Sequence, residues 1–161
     1  MERISKDKYY LSIAKTVAAR GTCLRRKFGA IIVRDDVIVS TGYAGAPRGR
    51  ENCCDLNYCL RENLGVPRGE RYELCRSVHA EANAIIAAPR DLMLGAVLYL
   101  ACADPKTGEV IGGTCSCQMC KKLIINAGIE EVIVLEDDGN YTVFAVNDWV
   151  IDDDSLGKMG Y

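Results

Sequence analysis

The chain contains one histidine, one tryptophan, two phenylalanines and four prolines among 161 residues. Any chemistry that needs an imidazole therefore has a single place to happen, His79. No apolar run approaches the roughly 20 residues that a membrane-spanning helix needs. The N-terminus is mixed and charged (Glu2, Arg3, Lys6, Asp7, Lys8) rather than signal-like. Neither charge is in excess: 20 basic and 22 acidic side chains leave a formal net charge of -2, which gives no electrostatic footprint for nucleic acid. There is no internal repeat and no low-complexity segment. These absences predict a cytoplasmic chain without a membrane or nucleic-acid partner. Its length, residues 1–161, suits one domain with a real core.

What the chain has in quantity is cysteine, nine in all. Reducing conditions make metal binding or plain burial a better explanation than disulfides. Cys23, Cys53, Cys54, Cys59 and Cys75 precede His79, whereas Cys102, Cys115, Cys117 and Cys120 follow it. Two clusters imply two jobs.

Ile4, Leu11, Ile13, Ala14, Val17 and Ala18 form a helical stripe that Gly21 closes, which predicts a first helix over 4–20. The β-branched runs 28–33 and 37–43, joined by Asp35-Asp36, predict an antiparallel hairpin at the sheet's edge. Between Ala44 and Arg76 the pattern is broken by Gly45, Pro47, Gly49, Gly65, Pro67 and Gly69. An irregular insertion of this length calls for a ligand, a lid or a metal. Helix 78–88, strand 96–101, helix 118–127 ended by Gly128, and strand 131–135 then give an α/β alternation with a partly parallel sheet. From about residue 138 the chain is less defined: 141–146 reads as a last strand and 147–151 as a short helix or extension. Asp152-Asp153-Asp154 with Gly157 and Gly160 reads as a solvated end.

His79 and Glu81 are expected in a first helical turn, and Cys117-Gln-Met-Cys120 opens a second helical pattern. An imidazole, a carboxylate and two thiols three apart are the parts of a zinc site that keeps one position open for water. Zinc acidifies bound water from about 15.7 to about 7. The start of a helix favours the thiolate forms of the cysteines, and a glutamate that is not a ligand can carry protons. The plainer alternative is a closed zinc site in an interaction domain, or a histidine capping a core helix. A purely structural site, however, has no use for a carboxylate beside its histidine.

His79-Ala80-Glu81 followed by Ser116-Cys117-Gln118-Met119-Cys120 resembles the signature of the zinc-dependent cytidine and deoxycytidylate deaminases, H-x-E…P-C-x-x-C. The segments 27–33, 40–47 and 121–129 resemble that family too, especially its deoxycytidylate branch, over about Thr16 to Val134. The resemblance implies a three-layer α/β/α sandwich around a mixed five-stranded sheet. It implies His79, Cys117 and Cys120 as zinc ligands, Glu81 as proton shuttle and Ala80 at the substrate. Water would add at C4 of a cytosine ring and ammonia would leave, converting dCMP to dUMP. A homo-oligomer, dimer or hexamer, and Mg²⁺ with a nucleotide effector are implied as well.

Some deoxycytidylate deaminases resembling this chain carry a second, structural zinc, for which Cys23, Cys53, Cys59 and Cys75 are the expected ligands, with Cys54 the alternative to Cys53. The plainer reading makes these thiols small buried hydrophobes. Burial is the expectation for Cys102 and Cys115. Of the arginines near the hairpin ends, Arg26 and Arg48 are the expected contacts for a substrate phosphate. The chain departs from the family in having Ser116 where proline precedes the first zinc cysteine, and Ala44 where asparagine helps hold the sugar. The hydroxyl of Ser116 is expected to cap the following helix. Substrates that keep the chemistry but change its target are a nucleoside, a modified dCMP, a free base such as guanine, or an adenosine in tRNA; the near-neutral charge disfavours the last.

Overall fold

A computed structural model describes residues 1–156; the expected solvated glycines, Gly157 and Gly160, lie outside them. Helix α1 (Lys6–Ala19) begins at Ser5, whose hydroxyl accepts from the Lys8 amide at 3.3 Å. It leads to the hairpin β1 (Lys27–Arg34) and β2 (Val37–Tyr43). Asp35 and Asp36 both have positive φ, 49° and 66°, the backbone that a two-residue hairpin turn requires.

The five-stranded sheet runs β2-β1-β3-β4-β5, with β3 (Val97–Ala103), β4 (Glu131–Leu135) and β5 (Tyr141–Ala145). Only the β3–β4 pair is parallel, so the sheet is mixed. The hairpin lies at one edge of the sheet as expected, with β2 as the edge strand, while β1 pairs with β3 on its other side and is buried from Gly29 to Val33. A continuous apolar run with both faces covered belongs in the sheet's interior.

Helices cover both faces. Tyr10, Leu11 and Ala14 of α1 pack on Ile31, Val33, Tyr99 and Ile133. On the opposite face, Ala80 and Ala84 of α4 (Ala80–Ile86) and Cys120 and Ile124 of α6 (Gln118–Ala127) pack on Ala30, Ile32, Leu98, Leu100 and Val132. The result is the expected three layers around a mixed sheet. Gly29 and Gly42 permit the close approach on either side: a β-carbon at Gly29 would lie 2.2 Å from the Ala18 nitrogen, and one at Gly42 would lie 2.3 Å from the Ala84 nitrogen.

The insertion is not wholly irregular. It holds two single-turn helices, α2 (Cys53–Leu56) and α3 (Leu60–Asn63), and a 3₁₀ turn at Tyr72–Leu74. Their shortness explains why periodicity does not reveal them. A further turn of helix, α5 (Arg90–Met93), precedes β3, and α7 (Val146–Ile151) follows β5. Among the described residues no helix is long and apolar enough to cross a membrane.

Candidate active site

Two helix starts converge at the C-terminal end of the parallel strand pair. His79 is the N-cap of α4 rather than a member of its first turn, and Glu81 is its second helical residue. Cys117 is likewise the N-cap of α6, with Cys120 in the first turn. A register of bonds fixes the first of these starts against the hairpin: Val78 and Gly45 exchange backbone hydrogen bonds at 2.7 and 3.2 Å, and the Asn83 amide donates to the Tyr43 carbonyl at 2.8 Å. The Ser40 hydroxyl donates to the Ala84 carbonyl at 2.7 Å, tying the same helix to β2.

The Cys117 and Cys120 sulfurs each lie 3.4 Å from Nδ1 of His79, and the three donor atoms fall within 4.8 Å of one another. Among the described residues no other three histidine, cysteine or acidic side chains approach so closely. The donor set fits zinc: one imidazole nitrogen and two sulfurs leave a fourth position open. The two thiols share charge unevenly. The hydrogen bond from Cys120 holds the Cys117 thiol well below its ordinary range, while the same bond and then burial push Cys120 strongly up. Burial disfavours the imidazolium of His79, but bonds to Cys117 and Cys75 outweigh it and raise His79 to about 10. His79, Cys117 and Cys120 would hold a divalent cation in place of the protons they share.

Glu81 stands beside this group, its Oε2 3.7 Å from the Cys120 sulfur. It is 4 % exposed, and burial raises its carboxyl above the ordinary carboxylate range. Such an acid holds a proton near neutrality better than a solvated one. Both Glu81 and His79 line a cavity of about 580 Å³.

Comparison with known proteins agrees with this donor set. A family model described as the cytidine and deoxycytidylate deaminase zinc-binding region matches residues 4–136. The chain belongs to this deaminase family. A deoxycytidylate deaminase of Mycobacterium phage D29 is 38 % identical over 138 residues, which is 83 % of this chain and 96 % of the relative. The deoxycytidylate deaminases of Schizosaccharomyces pombe and Saccharomyces cerevisiae are 34 % and 37 % identical over 81 % of the chain. This chain spans little more than a third of their length, 37 % and 38 %. In fold it is similar to the dCMP deaminase of cyanophage S-TIM5, with a TM-score of 0.55 at 24 % identity over 86 % of this chain and 89 % of that one.

Ala44 is buried at the cavity wall. Ser116 does not cap α6: Cys117 occupies that place, and the Ser116 hydroxyl is buried without a hydrogen-bond partner among the described residues. Cys102 is buried as expected, but Cys115 is exposed and stands at the cavity wall. Ala80 and Arg26 line the cavity, whereas Arg48 lies exposed in the 47–50 turn and does not. Cys53 is buried and Cys54 exposed, which distinguishes the two adjacent thiols. Burial raises the Cys53 thiol first, and the nearby Cys23, Cys75 and Cys59 raise it further.

Arg25, one of the basic residues before the first strand but not one of the two expected phosphate contacts, lines the cavity and buries one terminal nitrogen, Nη1, that has no partner among the described residues. Two further cavity residues, Arg61 and Tyr72, escape a reading of the sequence. Arg61 is a buried guanidinium, and the Tyr72 ring meets the His79 ring edge-on, with centroids 4.9 Å apart at 86°. The only sequence signal for the last two is an arginine and an aromatic residue in an otherwise polar, glycine-broken loop.

Proposed function

We propose that this chain is a zinc-dependent hydrolase that deaminates deoxycytidylate to deoxyuridylate. The observation that carries the reading is the buried Glu81 carboxyl beside the His79, Cys117 and Cys120 donors at the wall of the cavity. Its support from relatives is that the phage D29, Schizosaccharomyces pombe and Saccharomyces cerevisiae proteins bear the name deoxycytidylate deaminase.

His79, Cys117 and Cys120 would hold the zinc, which supplies a Lewis-acidic position where water ionises near neutrality. The chain's own residues do the rest. Glu81 takes a proton from the attacking water and returns protons to the ring and to the departing amine, a task suited to a carboxyl whose affinity for protons is raised. Addition at C4 followed by loss of ammonia balances as hydrolysis. Ala80, at the cavity wall, offers the backbone of the first turn of α4 to the ring.

The monophosphate is favoured by the cations around the cavity, where Arg25, Arg26, Arg68 and Lys106 all contribute. The unpartnered Nη1 of Arg25 is a donor suited to an anion. Arg48 would take part only if the substrate's phosphate extends toward the 47–50 turn. Two charge-assisted contacts of about 1.5–3 kcal/mol each amount to a preference for dCMP over deoxycytidine of about a hundredfold or more in kcat/KM. Released ammonia, measured with deoxycytidine, dCMP, dCTP and CMP under one condition, tests it. Equal rates for deoxycytidine and dCMP reject the nucleotide substrate and leave the zinc hydrolytic chemistry standing.

The same reading includes a second, structural zinc held by Cys23, Cys53, Cys59 and Cys75. Its support is the burial of Cys53 and the nearness of the other three thiols; their sulfurs must still draw closer, since they fall short of mutual ligand distance. A homo-oligomer is supported by exposed apolar side chains on α4, α6 and α7, namely Ile86, Leu123, Val150 and Ile151. The free state of the cysteines supports a cytoplasmic setting, and the shared sheet and cores support a single domain.

A further inference from the structure

Arg61 is 6 % exposed, and a guanidinium that stays charged so far from water must be compensated where it sits. Its Nε and Nη2 donate to the Glu70 carbonyl at 3.2 and 2.7 Å, and Nη2 donates to the Pro67 carbonyl at 3.2 Å. The flat cation lies over the Tyr72 ring, 4.4 Å from its centroid. A leucine or methionine would fill the same volume without burying a charge, so packing alone does not account for arginine here. What arginine does that they cannot is bind two carbonyls and an aromatic face at once, and so fix the path of the chain from Pro67 to Tyr72.

That path ends on the zinc ligand. The Tyr72 ring stands at 86° to the His79 imidazole with centroids 4.9 Å apart, the edge-to-face geometry that aromatic pairs prefer. Nδ1 of His79 faces both thiols at 3.4 Å, so a turn of the imidazole about its bond to the chain would take that nitrogen out of ligand range. The Tyr72 ring, packed edge-on against the imidazole, opposes such a turn. No bond from the His79 side chain to the start of α4 restrains it in the way a capping bond would.

We propose that Arg61 is a positioning residue for the His79 imidazole, acting through the Tyr72 ring. It rests on the proposed reading of the site as a zinc centre, but its test does not depend on which substrate the enzyme takes. The hydrogen bonds of Arg61 go to the Glu70 and Pro67 carbonyls and its flat face to Tyr72, none of them to His79, Glu81, Cys117 or Cys120. Arg61 holds the aromatic wall that keeps one ligand nitrogen aimed at the metal, a role usually given to hydrogen-bond partners of the ligating histidine.

The test is a double-mutant cycle on the full chain loaded with zinc, reading the rate of zinc release to a chelator, with kcat and KM on dCMP measured alongside. Arg61→Met and Tyr72→Leu are each expected to speed zinc release about tenfold and to lower kcat about tenfold, with KM changed less than about threefold, an effect of the size of one aromatic contact. Because the two act as one unit, Arg61→Met/Tyr72→Leu together should show about the same tenfold change, not the hundredfold of independent sites. Tyr72→Phe, which keeps the ring, should release zinc within about twofold of the parent. If Arg61→Met does not fold, the cycle is run with Arg61→Lys, which keeps a cation but loses the planar face and should fall between the parent and Tyr72→Leu. Zinc release within twofold of the parent for Tyr72→Leu, or additive losses in the double variant, overturns the proposal. A parent that releases no ammonia from dCMP overturns the proposed substrate, while the zinc-release cycle still decides the role of Arg61.

Discussion

Gly42 of β2 lies directly beneath Ala84 of α4, so close that a β-carbon on Gly42 would come within 2.3 Å of the Ala84 amide nitrogen and 2.4 Å of the Ala80 carbonyl oxygen. This approach sets how near the helix bearing Glu81 comes to the sheet, and so where His79 at its start meets the thiols of α6. Gly42→Ala must push backbone, not a flexible side-chain tip. Overpacking of this kind costs about 1–3 kcal/mol, which for a chain of this size lowers the melting temperature by roughly 2–12 °C. Thermal denaturation checks it, and zinc release should quicken in the same variant. A melting point unchanged within a degree would mean the helix seats itself independently of Gly42.

Glu81→Gln keeps the shape and removes the carboxyl proposed to carry protons. Turnover should fall by about 10²–10⁴-fold or more, with zinc content and melting temperature close to the parent's. Steady-state ammonia release and metal analysis of the same preparation check it. A variant that turns over at nearly the parental rate would remove Glu81 from the mechanism.

Metal content separates the two cysteine clusters. The parent should carry about two zinc ions per chain, and His79→Ala and Cys53→Ser about one each, since each removes a ligand from a different site. One zinc in the parent, lost on His79→Ala and kept on Cys53→Ser, would leave Cys23, Cys53, Cys59 and Cys75 as plain thiols.

Alkaline pH should loosen the α1 face. Burial first, then the hydrogen bond and charge of Asp36, raise Tyr10 to about 12; its hydroxyl donates to Asp36 Oδ1 at 2.8 Å. A group whose affinity for its proton is raised by folding contributes stability that is complete below the ordinary value of about 10 and is lost as pH climbs toward 12. Thermal melts between pH 8 and 12 should therefore fall more steeply for the parent than for Tyr10→Phe. Parallel curves would show that Tyr10 ionises freely in the folded chain.

The sequence made the chemistry legible because zinc chemistry is built from rare residue types at short spacings. A single histidine left no choice of imidazole, and Glu81 two residues on and Cys117 and Cys120 three apart are local patterns that a helix start holds in place without help from the rest of the fold. The longer helices and the strands were legible for a similar reason, since each carries its own period. Boundaries moved by a residue or two where a cap replaced a turn, as at His79. The one-turn helices of the insertion were not legible, because four residues carry no period.

What only the tertiary structure decided is everything that depends on distance along the chain being cancelled by folding. Whether Cys53 or its neighbour Cys54 turns inward, and that Cys115 faces the cavity rather than the core, follow from how the insertion and the 104–117 loop lie on the sheet. That β1 is interior, leaving β2 as the only edge strand of the hairpin, follows from the pairing of β1 with β3, more than 60 residues later in the chain. Arg61 and Tyr72 read as ordinary loop residues in sequence. They come together at His79 because the chain turns at Pro67 and Glu70, whose carbonyls Arg61 binds, and brings an aromatic ring back onto the imidazole. A sequence pattern records the residues that must be neighbours along one element; contacts made by a folded loop leave no such period, and only packing creates them.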